Sequence, residues 1–345
     1  MRLIPAGDDL LERLAIALNL APLPGAHAMF GMPAARTVVV AQRVGLLGRL
    51  AERRWGSSEL AAELELTEPG TRLLLDCLVA GGHVAERDGR YGLSRRARRW
   101  LDPRSQRYVG TWLDHAADYW EWYGDLERVI REGRSFEIHS APADDPSWRR
   151  YIEGQFELAR LSATEVARKV RLPDRSSSLL DVAGAHGWFA AELCRRHDGL
   201  RATVLDLPGS VAVGREIIAR EGMSDRVIHR EGDMFEADLG GPHDGALCFD
   251  IVHHLGPEQV VALLRRVRES LRPGGTVAIL DMFRRGRRPR ASAAYLGLFF
   301  HLTSGADLYR PDQLADFLAQ AGFERIRRSK VRRIPDQALY QARAA

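Results

Sequence analysis

Leu179-Leu180-Asp181-Val182-Ala183-Gly184-Ala185-His186-Gly187 is an apolar run that stops at an acid and then turns through residues small enough for a ligand to touch backbone. Helical spacing follows over Trp188 to Arg196. A second apolar run, Ala202 to Leu205, delivers Asp206 nineteen positions after Gly187, where a carboxylate can accept both ribose hydroxyls of an adenosine. Strand, small-residue turn, helix and acid-tipped strand together predict a cradle for a nucleoside cofactor.

Outward from this unit the pattern repeats. After Leu172-Pro173, apolar runs alternate with helical segments to the end of the chain, which predicts an α/β fold with a mostly parallel sheet covered on both faces. The predicted strands are Leu179 to Val182, Ala202 to Leu205, Val227 to Arg230, Ala246 to Ile251, Thr276 to Leu280, Ile326 to Arg332 and Ala338 to Gln341. Ligands in such sheets lie outside the carboxyl ends of the strands. The polar residues that close the strands are therefore the candidate site: Asp181 and its loop, Asp206, Gly232-Asp233-Met234, His253-His254 and Asp281.

Upstream, Ser57 to Leu64 reads as a short helix, Thr67 as the cap of a second helix from about Pro69 to Ala80, and Gly81-Gly82 as its stop. His83 to Glu86 and Tyr91 to Leu93, joined at Asp88-Gly89, read as a hairpin. Two helices and a β-wing predict a winged helix within a helical domain over residues 1–105. Its second helix sets Thr71 and Arg72 beside Asp76 and fills its other faces with leucines, so a packing or dimer module is expected in preference to a DNA reader. Residues 106–172 read as long connecting helices rich in aromatics, among them Trp112, Trp120, Tyr151 and Phe156, which either pack as core or wall an aromatic substrate pocket. The loop Ser140 to Pro146 breaks these helices and reads as mobile. A third domain is expected over residues 173–345.

A chain of 345 residues with 45% apolar types can bury a large core. Fifty Lys and Arg against 46 Asp and Glu leave a net charge of +4, too small over this length to point to nucleic acid. Cys77, Cys194 and Cys248 are odd in number and widely spaced, so neither disulfides nor a zinc site is expected, and a cytoplasmic location fits. Asp8, Asp9 and Glu12 precede Leu14 to Ala21 where a signal peptide needs positive charge, and no apolar run reaches the ~18 residues of a membrane span. Leu10, Leu11, Leu14 and Leu18 predict an amphipathic helix that packs on something, a second subunit being the first candidate. The densest positive charge, Arg284-Arg285-Gly286-Arg287-Arg288-Pro289-Arg290, is either a solvated loop or a contact for a carboxylate, a phosphate or an acidic carrier protein presenting the substrate.

Taken in order, Asp181 to Gly187, Val204-Leu205-Asp206-Leu207-Pro208, Gly232-Asp233-Met234-Phe235, Val252-His253-His254, Leu271-Arg272-Pro273-Gly274-Gly275 and Ala321-Gly322-Phe323 carry a resemblance. The chain from about residue 30 to 345 resembles the S-adenosylmethionine-dependent O-methyltransferases of the plant caffeic-acid and bacterial polyketide-tailoring type. The resemblance implies a doubly wound, mostly parallel, seven-stranded Rossmann-like methyltransferase sheet behind an N-terminal winged-helix dimerisation domain. It implies a homodimer that acts in secondary metabolism on a small aromatic compound, free or carrier-bound, and that releases S-adenosylhomocysteine. The loop with Asp181, Ala183, Gly184 and Gly187 would hold the methionine end of the cofactor, Asp206 the ribose, and Asp233 with Met234 the adenine, with Leu207 and Phe249 completing the set. His253 takes the family's general-base position, and either Asp281 or Asp307 is the carboxylate that orients it. Expected acceptor contacts are Trp112, Trp120, Phe156, His254, Phe299, Phe300 and His301. No metal is implied.

The chemistry agrees with that assignment. Methyl transfer from a sulfonium has an activated leaving group, so positioning supplies much of the acceleration. A phenol of pKa ~10 must lose its proton, and an imidazole of pKa ~6.5 can take it during attack, for a gain of ~10²–10⁴. Ala183 and Ala185 depart from the family's glycines: at negative φ their methyls are accommodated, and at positive φ weaker cofactor binding is expected. Three alternatives stay open at this point. One is methylation of a ring carbon ortho to a phenol, as on a hydroxylated aromatic amino acid. The others are a non-methylating cofactor-binding winged-helix protein and a metal-assisted enzyme using His253 or His254, His301 and Asp250.

Overall fold

The computed structural model describes residues 7, 9–286, 288, 290–332 and 336–345, so Asp8, Arg287 and Pro289 of the segments above lie outside the described residues. The chain folds as two compact units that divide in sequence between Asp118 and Tyr119. The connecting segment expected over 106–172 is thus shared between them.

In the N-terminal unit, helices Ser57–Glu63 and Glu68–Ala80 precede an antiparallel hairpin of β1 (Val84–Arg87) and β2 (Arg90–Leu93). Leu50, Leu60, Leu75, Leu78, Val84 and Leu93 share its core. Arg72 is engaged by Asp76 at 3.1 Å. The helix Leu10–Ala17 buries none of its residues. Trp112 is half-buried in the short helix Gly110–His115.

The second unit is built on a sheet of β3 (Ser178–Val182), β4 (Arg201–Asp206), β5 (Val227–Glu231), β6 (His243–Phe249), β7 (Leu271–Met282), β8 (Phe323–Lys330) and β9 (Gln337–Ala344). Their order is β5-β4-β3-β6-β7-β9-β8. The first five are mutually parallel, while β9 runs antiparallel to β7 and β8. Alternation along β3 sends Leu179 to the face covered by helices Ser147–Arg160, Trp188–Arg196 and Pro208–Arg220. Leu180 and Val182 go to the face covered by Pro257–Glu269 and Pro311–Gln320. Burial on both faces explains why β6 is buried at every position and why its Ala246 to Phe249 stretch reads as an apolar run. The strand order reverses beside β3, between β4 and β6, so a crevice opens beyond Val182, Asp206 and Phe249.

Three local expectations change. The strand expected to reach Ile251 ends at Phe249, because Asp250 turns into the left-handed region at φ 51°. Of the helices between 108 and 169 only Ser147–Arg160 is long; Tyr119–Gly124, Leu126–Glu132 and Ala163–Ala167 are short pieces. The segment Ser140 to Pro146 is tethered: Trp148 Nε1 donates to the carbonyl of Pro142 at 3.0 Å and Asp145 accepts the Ser147 N–H at 2.7 Å.

Candidate active site

The loop after β3 is closed by its neighbour strand. Ala183 N–H donates to the carbonyl of Leu205, and both oxygens of Asp206 are used, one accepting from Ala185 N–H and the other from Leu207 N–H, each at 2.7 Å. Gly187 N–H donates to Gly184 O at 2.8 Å, and Gly187 itself sits at φ 66° as the cap of the following helix. A Cβ on Gly184 would lie 2.4 Å from the Asp181 carboxyl, so only glycine fits there. Ala183 and Ala185 hold φ of 52° and 47°, the left-handed region that disfavours a Cβ. Beneath the loop, His229 Nε2 meets the carbonyl of Ala185 at 2.9 Å, and His186 Nδ1 accepts the Trp188 N–H at 3.0 Å. Burial pushes both imidazoles down, His186 to about 3 and His229 to about 4, so they support the turn as neutral rings.

Asp181 and Asp206 repel one another, and burial and hydrogen bonds, not a cation among the described residues, set their charge. Burial, reinforced by Asp206, lifts Asp181 to about 8, and Asp181 Oδ1 is a buried oxygen with no hydrogen-bond partner among the described residues. Burial lifts Asp206 to about 6 despite its two N–H donors. A ligand carrying positive charge at β3 and a diol at β4 would relieve both, and an aminoacyl nucleoside with ammonium, sulfonium and ribose has those groups. Asp233 is exposed and accepts the Phe235 N–H, whereas Met234 is half-buried against the second core face. Phe249 packs edge-on against Phe189 with ring centres 5.1 Å apart.

A single turn beyond β6, Val252–His254, presents two imidazoles. His253 is 4% exposed, its Nδ1 lies 2.6 Å from Asp281 Oδ1, and its backbone N–H donates to Oδ2 at 3.3 Å. A carboxylate only accepts, so Nδ1 carries the proton and Nε2 keeps its lone pair. Phe300 stacks on the His253 ring at 3.7 Å between centres. His254 donates through Nδ1 to Ser304 Oγ at 2.9 Å, since that hydroxyl spends its own proton on Phe300 O. His139 stands edge-on to His254 at 4.6 Å between centres, with Nε2 3.3 Å from the Tyr151 hydroxyl. Burial, with His253 as the lesser cause, pushes His139 down to about 4 and His254 well below its ordinary value. Burial and the acids Asp206 and Asp250 push the Tyr151 hydroxyl up. Asp250, held by Gln337 at 3.1 Å, is lifted to about 7 by burial and by Asp281. Asp250, His253 and Asp281 each bring one potential ligand atom within 4.8 Å of the others, but the Nδ1 to Asp281 hydrogen bond already uses two of the three groups.

The sequence-predicted residues separate accordingly. Asp181, Ala183, Gly184, Gly187, Asp206 and Leu207 come together at β3 and β4, and His253, His254, Asp281 and Phe300 at β6 and β7. Asp307 goes elsewhere: it is engaged by Arg284 at 2.8 Å, both half-exposed, and the carboxylate on His253 is Asp281. His301 lines a separate cavity of about 580 Å³ with Arg284 and Asp307. Phe299 packs on Tyr119 and Trp122, and Trp120 is half-buried in the same short helix. Phe156 is buried against Trp188, the core alternative. Sequence reasoning did not mark His139 or Gln337. Both lie outside the strand-end pattern it searched, and no local spacing ties His139 to a histidine more than a hundred positions away.

Strand order, an acid-tipped β4 and a carboxylate-held imidazole beyond β6 define a group-transfer enzyme of the doubly wound class that uses a nucleoside cofactor. The model of the O-methyltransferase domain matches residues 123–324, and the chain belongs to that family, whose cofactor is S-adenosylmethionine; it is an S-adenosylmethionine-dependent methyltransferase. It is 30% identical over 309 residues, 86% of this chain and 89% of the relative, to the tetracenomycin polyketide synthesis 8-O-methyl transferase of Streptomyces glaucescens. It is 29% identical over 255 residues, 71% and 72% of the two chains, to the 3-hydroxy-5-methyl-1-naphthoate 3-O-methyltransferase of Streptomyces sahachiroi. Human N-acetylserotonin methyltransferase in complex with S-adenosylmethionine shares the fold with a TM-score of 0.82 at 20% identity, over 99% of each chain.

Proposed function

We propose that this methyltransferase alkylates a phenolic hydroxyl of a small aromatic acceptor of the polyketide type, with His253 as general base. The observation that carries the assignment is the 2.6 Å contact between His253 Nδ1 and Asp281 at the strand ends, beside the Asp206 cradle. Bound S-adenosylmethionine would supply a methyl on a positively charged sulfur, held by Asp181 and its loop, with Asp206 at the ribose and Asp233 and Met234 at the adenine. His253 Nε2 takes the phenol proton as the oxygen attacks. The imidazolium so formed faces Asp281, which stabilises it, while His254 and His139 stay neutral and do not compete for the proton. Phe300, stacked on His253, shields the base from water. The names of the tetracenomycin and naphthoate relatives support an aromatic hydroxyl as acceptor.

We read the molecule further as a cytoplasmic homodimer whose N-terminal winged helix serves assembly, with no nucleic-acid or membrane partner. Exposed apolar residues at the N-terminus support assembly, and no described helix is long and apolar enough to cross a membrane. The test of the base is His253→Ala: turnover of a hydroxynaphthoate acceptor is expected to fall ~10²–10⁴-fold with S-adenosylhomocysteine affinity unchanged. Unchanged turnover removes His253 from the base role. A proton spectrum of the product separates an aryl O-methyl from an aryl C-methyl, the outcome that would shift the reading to a ring carbon.

A further inference from the structure

We propose that the concave pocket between the C-terminal end of helix Ser147–Arg160 and the end of β8 binds a small polyanion bearing two or more phosphate groups. The pocket has a volume of about 710 Å³, within the ~300–1,000 Å³ usual for small-ligand sites. Arg160, Arg168, Lys169, Lys330 and Arg332 line it against one acid, Glu165. That acid is already engaged: Lys169 Nζ lies 2.5 Å from its Oε1, which also accepts the Arg332 N–H at 3.1 Å. Arg160, Arg168, Lys330 and Arg332 form no ion pair among the described residues, although Arg160 lies over the Phe156 ring at 5.5 Å.

Positive charge at the last turn of a helix is ordinary, which accounts for Arg160 and for Arg168 at the end of Ala163–Ala167. It does not account for Lys330 and Arg332, which arrive from β8 and its exit. The walls are tied to one another, because Lys169 also donates to the carbonyl of Lys330 at 2.5 Å. Like charges converging on a concavity repel one another, and a multivalent anion removes that cost and accepts several charge-assisted hydrogen bonds at once. The site is separate from the acceptor cluster: Arg160 lies nine positions beyond Tyr151 on one helix, ~14 Å along its axis.

The experiment is calorimetric titration of the whole chain with inorganic pyrophosphate and with tripolyphosphate in physiological salt. One ion per chain is expected to bind, with tripolyphosphate the tighter. Arg168→Glu combined with Arg332→Glu should weaken it at least tenfold, and Lys330→Gln severalfold, with S-adenosylhomocysteine binding unchanged as the check on folding. Arg95→Glu combined with Arg96→Glu, an exposed pair in the other unit, should leave it intact. No binding by the wild-type chain, equal loss in the control pair, or unchanged affinity in both pocket variants overturns the proposal. So does preferential binding of an oligonucleotide that these same pocket variants abolish.

Discussion

Ala183 and Ala185 occupy the left-handed region on either side of Gly184, and each methyl there costs ~1–2 kcal/mol relative to the right-handed basin. The two are not equivalent, since Ala185 packs against the core beneath the loop, which offsets part of that cost, whereas Ala183 is not among the described residues packed on that core. Ala183→Gly is therefore expected to stabilise the protein by ~1 kcal/mol in denaturant unfolding and to tighten S-adenosylmethionine binding. Ala185→Gly should be close to neutral; equal gains from both would show that packing under Ala185 contributes nothing. Asp181 allows a test of electrostatics. Its carboxyl is raised from 3.8 to about 8, so the ligand-free fold holds a proton that the unfolded chain releases. Stability from that proton is complete below about pH 4 and is lost as pH climbs through about 8. Asp181→Asn removes the loss, so its melting temperature advantage should grow across that window and then level, while cofactor binding weakens. A constant offset at every pH would mean that the carboxyl is not desolvated.

At the scale of the element, the site depends on where strands stop. β6 ends at Phe249 and the chain turns at Asp250, so His253 arrives on a short turn opposite the last residues of β7, where Asp281 is paired in register with Ala338. Asp281 thus reaches the imidazole from a strand and not from a loop. Asp281→Asn keeps the volume but allows the amide to donate, so His253 can take the wrong tautomer. Turnover is expected to drop on the order of 10²-fold or more, with the cofactor affinity retained. A variant with full turnover would show that Asp281 is a structural acid only. The helix Ala291–Ser304 is the second supporting element: it places Phe300 on His253 and Ser304 on His254.

At the scale of the whole molecule, the N-terminal residues expose apolar surface without cover: Leu10, Leu11 and Leu18 are 72%, 77% and 65% exposed, and Met29 and Phe30 are 67% and 65%. Exposed apolar residues of this kind suit an interface, and under the proposed homodimer a second copy of the chain is the occupant expected from the helical spacing of the leucines. Leu11→Asp combined with Leu14→Asp should convert the proposed dimer to monomer in analytical ultracentrifugation. A monomeric wild-type protein would refute the homodimer, and a dimer that survives both charges would place the interface elsewhere.

Read from the chain alone, the alternation of apolar and helical segments after Leu172-Pro173 predicted a mostly parallel sheet covered on both faces with its ligands at the strand ends, and the run from Leu179 to Asp206 predicted the nucleoside cofactor, because burial on both faces leaves a continuous apolar signal and a tight turn restricts residue size. His253 stood among the candidates because it follows a predicted strand, and its role as base came from the family resemblance. Only the tertiary structure set Asp281 and not Asp307 against His253, gave Ala183 and Ala185 their positive φ, and brought His139 to His254, Tyr151 to His139 and Gln337 to Asp250. Those outcomes depend on side chains that meet across large separations in the chain, and local periodicity records which face a residue takes but not which distant partner it finds there.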